Sequence, residues 1–73
     1  MGQEKKGIIT LRGVVLEYLP SAIYRVSLED GRKALAHIAG RMRRNGIKVF
    51  PGNQIKIEFS EHDLTKGRIV YRY

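Results

Sequence analysis

The chain has 73 residues, fourteen Lys and Arg against seven Asp and Glu, a net charge of +7 and no cysteine. A chain this short buries only about 60% of its unfolded surface, which supports one modest core and excludes both a second domain and a deep, water-excluding active site. Without thiols, no disulfide or thiolate zinc site can brace the fold, so the core must do so alone. Met1–Gly7 is polar and charged and is expected to be a flexible basic arm, its Lys5 and Lys6 free to touch phosphates, with one folded domain over 8–73. No apolar run approaches the ~20 residues of a membrane span, and no secretory leader, amphipathic basic helix or lipid signal is expected. The expected compartment is therefore the cytosol or a comparable organelle interior.

Turn signals recur along the chain at Pro20-Ser21, Asp30-Gly31, Asn45-Gly46, Pro51-Gly52-Asn53 and Lys66-Gly67, with short apolar runs between them. That rhythm predicts an all-β barrel or sandwich. Ile9–Leu19 is the first strand, long enough to serve two halves of a barrel, with Gly13 marking a bulge or bend. Ile23–Leu28 alternates, with Tyr24, Val26 and Leu28 on one face, and Glu29-Asp30-Gly31 closes a hairpin into Lys33–Ile38. Gly40–Asn45 lacks a strand period and reads as one or two helical turns, followed by a short extended Ile47–Phe50. Ile55, Ile57 and Phe59 alternate in a fourth strand, and Arg68–Tyr71 forms a fifth with Ile69 and Tyr71 inward. Five strands with a helical insert between the third and fourth is the order of the OB-fold barrel; an SH3-like barrel, with its shorter insert, is the competitor.

Charge is uneven. Residues 1–40 carry six bases and four acids (+2), whereas residues 41–73 carry eight bases and three acids (+5). Such an excess in one half marks a binder of polyanions, nucleic acid first. Arg41-Met42-Arg43-Arg44-Asn45 with Lys48 forms one basic cluster, whose arginines fan around a short helix and suit phosphate recognition. Lys66, Arg68 and Arg72 form a second, at the end of the loop between strands four and five and on strand five, with Arg68, Val70 and Arg72 sharing one outward face. Arg12, Arg25 and Lys56 extend it if the register allows. Tyr24, Phe59 and Tyr71 fit core positions, while Tyr18, Phe50 and Tyr73 are freer to stack on bases. Scarce exposed rings favour recognition of RNA shape and backbone over a dedicated single-strand binder.

Enzymatic readings find no support. His37 and His62 lie on different elements with no carboxylate at a diagnostic spacing, and neither a phosphate-binding glycine loop nor a third metal ligand accompanies them. No catalytic residue, metal or cofactor is expected. Asp63 is assigned to loop structure, capping its own turn.

The runs Gly13-Val14-Val15-Leu16-Glu17, Tyr24-Arg25-Val26, Ala36-His37-Ile38-Ala39-Gly40-Arg41-Met42-Arg43-Arg44-Asn45 and Asp63-Leu64-Thr65-Lys66-Gly67-Arg68-Ile69-Val70-Tyr71-Arg72 resemble bacterial translation initiation factor one over about residues 11–72. The resemblance implies an S1-like OB domain at the A site of the small (30S) ribosomal subunit, against 16S rRNA of the decoding region and the adjacent ribosomal protein. It further implies a block to premature tRNA entry and cooperation with initiation factors two and three; a monomer is expected, and the lack of a transit peptide favours a bacterial cytoplasm over a plastid stroma. By the same resemblance Arg41, Arg43, Arg44, Lys66, Arg68 and Arg72 contact rRNA, and Asn45 and Lys48 of the same basic cluster are expected to join them. His62 and Gly46 depart from the family pattern, which has aromatic residues there, and Gly46 is expected to loosen the exit of the helical insert. The alternatives are a cold-shock-like single-stranded RNA chaperone and a structural ribosomal protein.

Overall fold

The computed structural model describes residues 7–73, so the arm expected over Met1–Gly7 falls, Gly7 excepted, outside the described residues. Five strands, β1 (Ile8–Leu19), β2 (Ile23–Leu28), β3 (Lys33–Ile38), β4 (Gln54–Ser60) and β5 (Asp63–Arg72), close a barrel in the order β1-β2-β3-β5-β4. A five-residue helix, α1 (Gly40–Arg44), joins β3 to β4 through a long loop. All neighbours are antiparallel except β3 and β5, which run parallel. This is the expected OB-fold, and each of the five described strands has a paired neighbour on either side.

The alternation read from the sequence is what fills the interior. Val15, Val26, Ile55, Ile57, Phe59 and Ile69 are each under 2% exposed, with Tyr24, Leu28, Ala34, Ala36 and Val49 completing the core. Ile47–Phe50, expected to be extended, pairs with no strand, yet its Val49 enters that core. The Tyr24 hydroxyl is pushed above its ordinary pKa by burial, with Tyr18 adding to the effect from a ring 4.9 Å away.

Gly13 does not form the bulge; the extra residue of β1 is Leu16, between the pairs Val15–Val26 and Glu17–Arg25. Gly13 instead stands where β1 passes from β4 to β2, paired with both Ile55 and Leu28. A Cβ there would lie 2.7 Å from the Ser27 carbonyl oxygen. The strand does serve both neighbours, as expected, and glycine permits the close approach of Ser27 at the changeover.

The fifth strand is longer than Arg68–Tyr71, because Lys66-Gly67 is not a turn. The turn is Glu61-His62, and Gly67 lies buried within β5 opposite Phe59. Tyr71 is likewise not in the core but 52% exposed. Its displacement has a register cause: Ile57 faces Ile69 and Lys56 faces Tyr71, so Val70 is an extra residue that inverts the parity of the strand beyond it. The same inversion separates Arg72 from the face that holds Arg68.

Gly46 fastens the insert's exit rather than loosening it. Its φ of +71° places it in the left-handed region, its N–H donates to the Arg43 carbonyl (3.1 Å), and Ile47 N–H donates to the Met42 carbonyl (3.0 Å). These two bonds are a Schellman cap, for which glycine is the favoured residue. Gly46→Ala is expected to cost about 1 kcal/mol locally, seen as faster hydrogen exchange at the Ile47 amide. Unchanged exchange would mean that the cap does not hold the helix.

Candidate nucleic-acid interface

A helix of five residues cannot hold itself together in water and must be held by its packing. Met42, 2% exposed, is its one buried residue and plugs into the barrel core, which turns Arg41, Arg43 and Arg44 outward. The fan expected from the sequence is thus present, with the single apolar residue setting its direction. Arg41 reaches back to β5, its Nη2 donating to the Val70 carbonyl at 3.4 Å. Arg44 folds over Gly40 at the start of the helix. Together with Arg68 these two line a polar cleft of about 300 Å³ between α1 and β5, floored by Ala39, Gly40 and Val70.

The other expected contacts divide. Arg43 and Arg44 have no carboxylate partner among the described residues, so their charge is available to an external anion. Asn45 is the C-cap of α1 and is exposed, donating its backbone N–H to the Arg41 carbonyl at 3.1 Å. Lys48 is exposed on the following loop, where its carbonyl accepts a 2.6 Å bond from Arg72 Nη1. Arg72, itself exposed, therefore clamps the insert loop to the barrel. Arg68 is paired with Glu58 at 2.8 Å. Lys66 lies beside Leu35 on the other flank of β5, on an open depression of about 490 Å³ that Leu16, Arg25 and Lys33 also line, rather than in the arginine cleft. The structure joins Arg41, Arg44 and Arg68 directly, with Arg43, Asn45 and Lys48 around the same insert, and leaves Lys66 apart.

Three basic residues whose side depended on register are now placed. Arg12 and Lys56 are direct partners across β1 and β4. Arg25 is on β2, ion-paired with Glu17 at 3.2 Å. His37 is an exposed strand residue and His62 a solvent-facing turn residue, 3.5 Å from Glu61. Among the described residues no cluster of three His, Cys, Asp or Glu side chains could hold a metal. Asp63 caps its own turn as expected: its Oδ1 accepts from the Thr65 hydroxyl and backbone N–H, which holds its carboxyl below the ordinary range. Asp30 is held low in the same way by the Arg32 guanidinium and N–H, which tightens the β2–β3 hairpin.

A closed five-stranded OB barrel with a basic excess and an arginine-bearing insert between its third and fourth strands defines an RNA-binding factor of the OB class. Residues 3–73 match the family model described as Translation initiation factor 1A / IF-1. The solution structure of translation initiation factor IF-1 from the Wolbachia endosymbiont strain TRS of Brugia malayi superimposes with a TM-score of 0.78 at 32% identity, over 97% of this chain and 84% of that one. The chain belongs to the translation initiation factor 1A / IF-1 family, and is a translation initiation factor. YjeQ from Thermotoga maritima shares the fold, with a TM-score of 0.73 at 21% identity over 89% of this chain and 23% of that one.

Proposed function

We propose that this factor binds the small (30S) ribosomal subunit at its A site through 16S rRNA, occupying the site before tRNA enters and acting with initiation factors two and three. On this reading it works as a monomer in a bacterial cytoplasm and by occupancy, with no reaction of its own. The observation that carries the proposal is the arginine-bearing insert. Arg41, Arg43 and Arg44 project from a helix pinned by Met42, beside Arg68, and Arg43 and Arg44 keep their full charge for phosphate. Asn45 and Lys48 extend the contact along the insert, Arg72 holds the loop in position, and Lys66 adds a more distant cation.

Sedimentation with 30S particles across a salt series tests it: binding should saturate and be released as salt rises. Arg43→Ala or Arg44→Ala is expected to weaken binding and to lower the slope of log affinity against log salt by about 0.7–0.9 for each phosphate that is no longer neutralised. Both side chains are exposed, so the thermal melt should be unchanged. Unaltered affinity and slope in both variants would remove the insert from the interface. Equal binding to unstructured oligonucleotides and to 30S particles would favour a cold-shock-like chaperone instead. Against that reading, the outer side of β2 and β3, the usual OB binding face, presents Arg25, Ser27, Lys33, Leu35 and His37, with neither Tyr nor Phe among them.

A further inference from the structure

The inverted end of β5 produces a second surface. Tyr71 and Tyr73 stand on the outside of the barrel, each 52% exposed, with ring centroids 4.9 Å apart in an edge-to-face arrangement. Arg12 on β1 lies over the Tyr73 ring, 4.1 Å from its centroid, and Lys56 on β4 lies 5.6 Å from that of Tyr71. Cross-strand pairing fixes the group, since Arg12 faces Lys56 and Lys56 faces Tyr71. Arg12 is further held by Gln54, whose side-chain oxygen accepts from its Nη2 at 3.1 Å.

We infer that this outer face of β1, β4 and β5 is a docking platform for unpaired bases of single-stranded RNA. The inference extends the RNA-binding reading and rests on it. Rings and cations interleaved on one sheet face are what single-stranded nucleic acid needs, bases stacking on aromatic and guanidinium planes while the cations follow the backbone. A second copy of the chain fits poorly, because a two-fold contact through this face would gather the Arg12 and Lys56 cations of both copies into one interface. An acidic protein segment could satisfy the cations but would leave the rings unused. The platform also adjoins the cleft: Arg68 is one row along the same outer face, opposite Glu58, and lines the cleft with Arg41 and Arg44. An RNA strand leaving the cleft therefore meets the tyrosines next.

The test compares two end-labelled probes titrated with the full chain at fixed salt: a short oligouridylate, and an abasic oligomer of the same length and charge. The oligouridylate should bind about five-fold tighter or more. Tyr71→Leu with Tyr73→Leu should abolish that difference while leaving the charge-driven binding common to both probes. Should the double variant fail to fold, Tyr73→Leu alone should reduce the difference, because that ring lies at the exposed end of the strand. Equal binding of the two probes by the unaltered chain overturns the proposal, and an acidic segment then becomes the better occupant. So does a preference for bases that survives in a folded variant lacking the rings. Sedimentation with 30S particles reads the ribosomal proposal separately: 30S binding without base preference sinks the platform alone, and base preference without 30S binding sinks the ribosomal reading alone.

Discussion

Gly67→Ala should destabilise the barrel by about 1–3 kcal/mol, and Gly67→Val by more, although neither touches a charged or polar group. A Cβ at this position would stand 2.6 Å from Ile57 Cγ2 and 2.7 Å from Phe59 Cε1, distances that no packed carbon tolerates. Ile57 and Phe59 are 0% and 1% exposed, so neither has anywhere to retreat. Gly67 is also paired on both sides, with Phe59 of β4 and Ala36 of β3, which prevents the backbone from moving outward. The ring of Phe59 covers the glycine and supplies the packing that the missing side chain would have given. Urea denaturation measures the loss. Phe59→Leu should be destabilising in the natural chain yet less so in the Gly67→Ala background, a coupling that a double-mutant cycle would read directly. Additive effects would show that the ring and the glycine are not in conflict.

Met42→Ala is expected to cost at least about 2 kcal/mol, the usual lower end for emptying a buried methionine site. The consequence differs in kind from that at Gly67. A five-residue helix has no stability of its own, so once its anchor is gone the helix can leave the barrel rather than share in a cavity. Hydrogen exchange at Asn45, Gly46 and Ile47, whose amides donate to the Arg41, Arg43 and Met42 carbonyls, should rise toward that of an open chain. Binding to 30S particles should fall with it, even though every arginine remains, because three mobile cations must be ordered on contact. Full affinity in a Met42→Ala protein with an exposed helix would mean that the insert is shaped by the RNA and not by the barrel.

Much of this architecture is legible in the residues. Period-two alternation in 23–28, 33–38 and 55–59 locates three strands and their inward side chains, and the break in that period locates the helix. What cannot be read is the effect of one residue upon its successors. Val70 as an extra residue in β5 leaves no mark in composition, yet it moves Tyr71 from the core to the surface and opens the tyrosine face. Gly67 has the same letter as a turn glycine, and only the ring across from it shows that space is the reason. Gly46 reads as a turn residue, but its worth lies in two hydrogen bonds that depend on where the helix stops. The arginines of the insert are found from charge alone, whereas the convergence of Arg41 and Arg44 on Arg68 needs the packing of α1 against β5.

Closing the barrel sets the order in which the molecule can be born. Among the described strands β5 comes last and alone joins β3 to β4, and its parallel contact with β3 links Leu35 to Lys66 and Ile38 to Ile69. Everything emerging before it can form only the meander of β1 and β2 with β3, plus β4 against β1, a sheet with two raw edges. The barrel can close only when β5 inserts between those two edges, pairing parallel with β3 and antiparallel with β4. The finished outer surface, tyrosines included, therefore exists only once β5 is seated between β3 and β4.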